Sequence, residues 1–481
     1  MKRIPVVWPQ SLVTALALAL LSGCGVTSQP TPAPLSATNL NLIFVVSEDL
    51  AYQTSGDVNP QTANLTDRGL QRTLLMGAFL KQHVLGGNNV TGIYALEPMT
   101  HLQTASNYPD MGGLETIQQF AMLNQVTISN GSTPPATANS YPIFASYSAY
   151  IPAGVAQPVF PCPACQGLDF SDHNGDNEAL VSSIVQANAP GYYVFSAPWE
   201  TVSVLMTNLN QLEGYNLTLP AGYAGPNYVY AISITPSGSA SLVTYNSNLD
   251  PLSSYPVLPA AAIVSAPCTG NLHFQVTGGS GGAVIPAGIN TNETVYMIRH
   301  AEAHPTPNWD DGDYIGAGQW RALDLPNALS GKIQPTQVYS IDPANAIPGG
   351  DGSTPSSYVR PSMTVEPYAI ANNLPFNLAA SVAVFAQNAP QLSTAASDFF
   401  FTGGTFSNQT LLVGWEHDHI PPTVNALLAS YQSSQTVPNW SDDDYDSMWT
   451  ITLDAQGNLT VDTEACESIS SAALPATPPQ F

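Results

Sequence analysis

Basic residues are what this chain has least of. Of 481 residues only 9 are Lys or Arg, against 34 Asp or Glu, and charged side chains of both signs make up 9% of the sequence. Lys2 and Arg3 lie ahead of an apolar stretch, Ser11 to Leu21, which is too short to span a bilayer and has the length of a secretory signal. Export would remove both bases and leave seven against 34 acids, a formal charge of −27. A surface of that sign repels nucleic acid and anionic lipid, so neither is expected as a partner. Cysteine is scarce as well, with five in the chain. Such poverty makes each remaining base informative, and after residue 290 there are only Arg299, Arg321, Lys332 and Arg360.

The apolar stretch closes on Leu21-Ser22-Gly23-Cys24, which looks like a bacterial lipobox. Residues 1–23 are therefore expected to be a lipoprotein signal peptide, Cys24 the lipidated residue, and residues 24–38 a tether rich in Ser, Thr and Pro. The membrane enters through that lipid anchor only. The expected location is the bacterial cell envelope, on the outer membrane or periplasmic face, and the absence of Asp at position 25 leans toward the outer membrane. The other cysteines are Cys162, Cys165, Cys268 and Cys466. In an oxidising compartment they read as two disulfides with three possible pairings, of which Cys162 with Cys165 and Cys268 with Cys466 is favoured.

The chain also repeats its landmarks. Asn41–Val46 resembles Thr294–Ile298, Ile93–Pro98 resembles Val338–Pro343, Tyr193–Pro198 resembles Leu412–His417, and Ile232–Gly238 resembles Ile451–Gly457. The last two pairs share one offset, 219. Short apolar strands alternate with helix-like stretches, the signature of crossover connections and a largely parallel sheet with helices on both faces. The expected fold class is α/β, two repeated three-layer domains, with one over 39–265, a linker over 266–290 and a second over 291–475.

In the second half Arg299-His300 ends one apolar strand and His417 follows another, so both imidazoles should project from one sheet edge, where open α/β sheets bind ligands. Arg360 opens a helical stretch with Pro361 suited to its first turn. Two guanidiniums and two imidazoles could surround one phosphoryl group.

These residues resemble the histidine phosphatase, or phosphoglycerate mutase-like, superfamily. Arg299-His300-Ala301-Glu302 stands where that family has Arg-His-Gly, Arg360 with Thr364 and Glu366 matches its Arg before a Thr-Ala-Glu-like run, and His417 matches its second histidine. The resemblance implies a tandem duplication of a phosphoglycerate mutase-like fold with a degenerate first copy. It implies that His300 attacks phosphorus to form a phosphohistidine, that Arg299, Arg360 and His417 hold the phosphoryl oxygens, and that Asp418 protonates the leaving oxygen. Glu302, His304 and Glu366 are the other candidates for the proton. No cofactor or metal is implied, and the implied partner is a phosphorylated small molecule.

In the first half Ser47 and Glu48 occupy the places of Arg299 and His300, Pro198 that of His417, and His101 lies about where an Arg should be. Leu65–Gly69 and Gln103–Ala105 still look like family scaffold, so a degenerate copy is expected there. A rival reading from another class is a binding lipoprotein in which neither half turns substrate over. Ala301 and the acids flanking His417 favour it, and the retained four-residue set opposes it. His300 with His304 and His417 with His419 could instead ligate a transition metal. Asp310, Asp311 and Asp313, and Asp442 to Asp444 with Asp446, are expected to be exposed acidic loops.

Overall fold

The computed structural model describes residues 31–52, 55–128, 136–138, 140–145, 151–157, 166–259, 263–303, 311–347, 356–382 and 390–481. The signal segment, Cys24, Cys162, Cys165, His304, Pro305 and Asp310 lie outside the described residues. From Ala33 to Phe481 the chain is one compact unit.

Two sheets organise it. The first contains β1 (Leu40–Val46), β2 (Gly92–Ala95), β3 (Ile143–Ala145), β4 (Gly191–Ala197), β5 (Tyr228–Ile234) and β6 (Ala240–Asn246), in the order β6-β5-β1-β4-β2-β3. The second contains β7 (His273–Val276), β8 (Glu293–Arg299), β9 (Gln337–Ser340), β10 (Phe376–Leu378), β11 (Thr410–Trp415), β12 (Ser447–Leu453) and β13 (Leu459–Cys466), in the order β7-β13-β12-β8-β11-β9-β10. Without β7 the two orders are the same, and so are the directions. In each, the central strand pairs in parallel toward one edge and antiparallel toward the other. The segment read as a linker thus supplies an edge strand, paired antiparallel to β13. A disulfide from Cys268 to Cys466 fixes its start, as expected. Closing a loop across 198 positions of sequence separation stabilises by up to about 5 kcal/mol in the chain-entropy view.

Alternation along the strands decides the layers. In β1, Leu42, Phe44 and Val46 face a cluster with Val181, Val202, Leu205 and Met206, from α3 (Asp176–Ala187) and α4 (Trp199–Leu212). Ile43 and Val45 face the other way. They join a core with Leu114, Ile117 and Phe120 of α2 (Gly112–Met122), Met76 and Phe79 of α1 (Asp67–Phe79), and also Ile298, Ala322, Leu325, Val365 and Leu412 of the second half. The latter residues include parts of α5 (Gly316–Ala328) and α6 (Arg360–Ala371). The outer face of the second sheet packs on α7 (Pro390–Phe401) and α8 (Ile420–Ser430). Each fully buried aliphatic or aromatic side chain here contributes about 1.5–3 kcal/mol, and a single apolar core joins the halves.

Polar contacts join them too, and they correct the reading of one acidic loop. Asp311 and Asp313 are fully buried. Asp311 accepts from the Ser140 hydroxyl, and Asp313 accepts from Gln118 Nε2 at 2.8 Å. A burial this complete is tolerated because each carboxylate has a donor from the other half. The repeat of strand pattern could not show this, since these acids bond across the halves as well as within one.

The pairing also refines the repeat. Phe44 and Met297 lie opposite Tyr230 and Trp449, which keeps the offset of 219, but opposite Phe195 and Val413 on the other side, which makes it 218. On that register Ser47, not Glu48, stands at the place of His300, and Trp199, not Pro198, at the place of His417. Gly112 opens α2 as Arg360 opens α6, so the expectation that His101 holds the arginine's place is corrected as well.

Candidate active site

His300 is the first residue beyond β8, and its N–H donates to Trp415 O at 2.9 Å, prolonging the pairing with β11 by one residue. That sets it beside Glu416 and His417 at the carboxyl edge of the sheet. The two imidazole rings lie 6.5 Å apart between centroids and stand perpendicular. His300 is 1% exposed. Its Nδ1 lies 2.8 Å from Ala301 O, an acceptor only, so Nδ1 carries the hydrogen and Nε2 carries the lone pair. Burial, aided by the Arg360 and Arg299 guanidiniums, holds its pKa well below the usual imidazole range. A neutral, oriented Nε2 is the form that can act as a nucleophile.

The turn beyond His300 is braced from α6. Ala301 N–H donates to Thr364 Oγ1 at 2.9 Å, and that hydroxyl donates to Arg360 O at 2.7 Å. Thr364 thereby ties the turn after His300 to the start of the helix that carries Arg360. Ala301 is not among the residues with left-handed backbone, so the missing glycine costs no strain. Gly318 makes the room instead. A Cβ there would lie 2.6 Å from Glu302 O and 3.2 Å from Ala301 Cβ.

Both arginines are buried, at 2% and 3% exposure. Arg299 lies 3.8 Å above the Tyr445 ring, its Nη1 donates to the backbone carbonyls of Asp442 and Asp444, and its buried Nε has no hydrogen-bond partner among the described residues. The Arg360 guanidinium lies 4.7 Å from the Tyr358 ring centre. Stacking and backbone acceptors fix these planes in advance. The backbone carbonyls of Asp442 and Asp444 are therefore part of the site's wall while Asp442 and Asp443 keep exposed side chains, and Asp446 in turn accepts from Ile469 N–H at 2.6 Å.

Glu416 is the functional residue that sequence reasoning undervalued. Its Oε1 forms an ion pair with His417 Nδ1, while Oε2 accepts from the Asp418 N–H at 2.8 Å and lies 2.7 Å from His419 Nδ1. Burial opposes a charge on Glu416, yet its two histidine partners hold its pKa far below the usual carboxylate range. Burial likewise opposes a charge on His417, but the hydrogen bond and charge of Glu416 override it and raise the imidazole's pKa. One imidazole is thus shifted toward its neutral form and the other toward its cation. The acid next to His417 is what favours its charge. An Asp or Glu directly before a histidine was the available signal.

The alternative proton donors separate cleanly. Glu302 is bound by Arg321, whose Nε lies 3.0 Å from both its oxygens and whose Nη1 donates to Glu467 Oε2 at 2.6 Å. Glu366 is buried in the interior between the halves, where burial and the neighbouring Glu115 carboxyl raise its pKa. Neither faces the pocket. Asp418 does, with Oδ1 3.7 Å from His417 Nε2 and its side chain 49% exposed.

The matching edge of the first sheet lacks this chemistry. Val46 ends β1 and Ser47 follows it, Gly112 starts α2, and Trp199 starts α4. A Cβ on Gly112 would lie 2.6 Å from Glu48 O, so no side chain fits at that helix start. The buried arginine of the first helix has a counterpart nonetheless. Arg72 of α1 is buried as Arg321 of α5 is, and its Nε donates to Asp57 Oδ2 at 2.6 Å.

No protein-family model and no curated protein matches the chain. Among solved structures it is similar to one designated phosphohistidine phosphatase SixA from Agrobacterium tumefaciens, at 17% identity and a TM-score of 0.22, over 36% of this chain and 98% of that one. It is also similar to a mycobacterial glucosyl-3-phosphoglycerate phosphatase, at 12% identity and a TM-score of 0.24, over 35% of this chain and 97% of that one. The same mycobacterial phosphatase in complex with inorganic phosphate gives 14% identity and a TM-score of 0.23 over 37% of this chain. Likenesses at these TM-scores assign no activity to the chain.

Proposed function

We propose that the chain is an exported, lipid-anchored phosphomonoester hydrolase that works through a phosphohistidine on His300, and that its first half is a degenerate copy of the second. The observation that carries this reading is the pairing of a buried, neutral His300 with His417, whose charge Glu416 favours, and two stacked guanidiniums, in a chain with only 9 Lys or Arg.

His300 Nε2 attacks phosphorus as the ester P–O bond opposite it breaks. Arg299, Arg360 and protonated His417 stabilise the charge that gathers on the phosphoryl oxygens. The leaving oxygen takes a proton from Asp418, which sits at the open side of the pocket. Water then attacks the phosphohistidine, gives its proton back to Asp418, and releases inorganic phosphate with His300 restored. The substrate is a phosphorylated small molecule, reached through Asp418's exposed flank.

A second reading has one observation behind it: ligand atoms of His300, Glu416 and His417 lie within 4.8 Å of one another and could hold a metal. The test separates the two. The purified full chain is assayed on a panel of phosphomonoesters, beside His300→Ala, with and without chelator. Chelator-resistant turnover lost in the variant supports the phosphohistidine route. Loss on chelation supports metal, and no turnover on any substrate supports a binding lipoprotein. Anchoring is tested by labelling with radioactive palmitate, which Cys24→Ala should abolish.

A further inference from the structure

The first half carries a cluster that the phosphatase reading leaves unused. Asp49 follows β1, His101 lies beyond β2, and Asp110 precedes α2, so all three meet at the same carboxyl edge that the second half uses for His300 and Arg360. One ligand atom from each lies within 4.8 Å of the other two. His101 Nε2 is 2.9 Å from Asp49 Oδ2.

Each member is already held in position. Asp49 Oδ1 accepts from the Ala51 N–H at 2.6 Å, Asp110 Oδ1 accepts from the Gly112 N–H at 3.0 Å, and the His101 ring stacks on Phe170 at 3.7 Å with an interplanar angle of 8°. Outer contacts of this kind orient metal ligands. Asp110 is 1% exposed, yet its buried Oδ2 has no hydrogen-bond partner among the described residues. A buried acceptor left open beside a histidine and a second carboxylate lacks its counterpart, and a cation supplies one. His101, with 21% of its side chain exposed, leaves a way in.

We propose that Asp49, His101 and Asp110 form a site for a divalent first-row transition ion such as Zn²⁺ or Mn²⁺. One imidazole with two carboxylates suits such an ion, and the histidine argues against Ca²⁺ or Mg²⁺. Donors held about 2.0–2.2 Å from one ion lie on the order of 3–3.5 Å apart, so spacings under 4.8 Å bring all three within reach of a single ion after small side-chain shifts. The first half has thereby exchanged an anion pocket for a cation pocket at the same edge.

The experiment is calorimetric titration of chelator-stripped full-length protein with Zn²⁺, repeated with His101→Ala, with Asp110→Asn and with His417→Ala, and with Ca²⁺ as control ion. We expect one equivalent of Zn²⁺, weakened at least about 100-fold by His101→Ala or Asp110→Asn, unchanged by His417→Ala, and no Ca²⁺ binding at matched concentration. The electron paramagnetic resonance of bound Mn²⁺ in the unaltered protein supplies a second readout, independent of whether a variant folds. Absence of binding to the unaltered protein, or binding lost through His417→Ala but kept in His101→Ala, overturns the site. Neither result bears on His300 chemistry, so the two proposals fail separately.

Discussion

The two halves share a frame and differ at a handful of edge positions. Strand order and direction agree, Gly69 and Gly318 both press against a backbone carbonyl, and Arg72 and Arg321 both lie buried among carboxylates. At the carboxyl edge the signs reverse. The second half presents Arg299, His300, Arg360 and His417, where the first has Val46, Ser47, Gly112 and Trp199 with Glu48, Asp49 and Asp110 close by. A fold's frame is set by pairing and burial over many residues, whereas its chemistry is set by the few that end strands and begin helices. One can be lost while the other is kept.

The sharpest way to break this comparison is to remove the nucleophile from one half and its counterpart from the other. His300→Ala should lower kcat on the order of 10³-fold or more, with melting little changed. Ser47→Ala should leave kcat within about twofold. Equal losses would deny that the halves differ in function. The frame is tested next. Arg321→Met and Arg72→Met each leave buried carboxylates unpaired and should each cost about 3–5 kcal/mol in urea unfolding. A large loss at Arg321 alone would show that the first half does not share the frame.

The interior between the halves titrates in an unusual sense. Burial raises Glu115 and Asp342 to about 7, and it raises their partners Glu366 and Glu97 well above the carboxylate range. Each pair joins one half to the other. Folded-state pKa values above the unfolded ones mean that these groups stabilise fully below about pH 4 and lose that contribution as pH rises toward 7 and beyond. Melting should therefore be highest in mild acid and fall by pH 8, on the order of 10 °C for a chain of this size. A melting temperature that rises with pH over that range would contradict the shared, protonated interior.

The smallest effect belongs to Glu416→Gln. Without the carboxylate the His417 pKa falls, so the alkaline limb of kcat should move to lower pH and activity at pH 7.5 should drop about tenfold. The acid limb, governed by His300, should move to lower pH as well, since Glu416 also raises that imidazole's pKa. An alkaline limb that does not move would detach His417's charge from its acidic neighbour.

Much of this was legible in the sequence for a physical reason. Strand identity follows short-range alternation, so β1, β2, β4, β5 and their counterparts stood out, and Arg299, His300, Arg360 and His417 stood out because so few bases compete with them. The Cys268–Cys466 bond was legible through compartment and count. What escaped depends on distance in the fold. A one-residue slip between neighbouring strands is invisible until both are paired, which displaced Ser47 and Trp199 in the repeat. Asp311, Asp313 and Asp446 look solvated in sequence because their donors come from far along the chain. Glu416 was misread as a liability since its two imidazole partners are revealed only by geometry.

The most direct test of the central claim is to quench the full-length protein during turnover of a phosphomonoester, at alkaline pH, and map bound phosphate by mass spectrometry. Phosphate should be found on the peptide bearing His300 and nowhere in the first half, and it should vanish in His300→Ala. Steady turnover with no phosphorylated enzyme at any time, or with phosphate on another residue, would contradict the account.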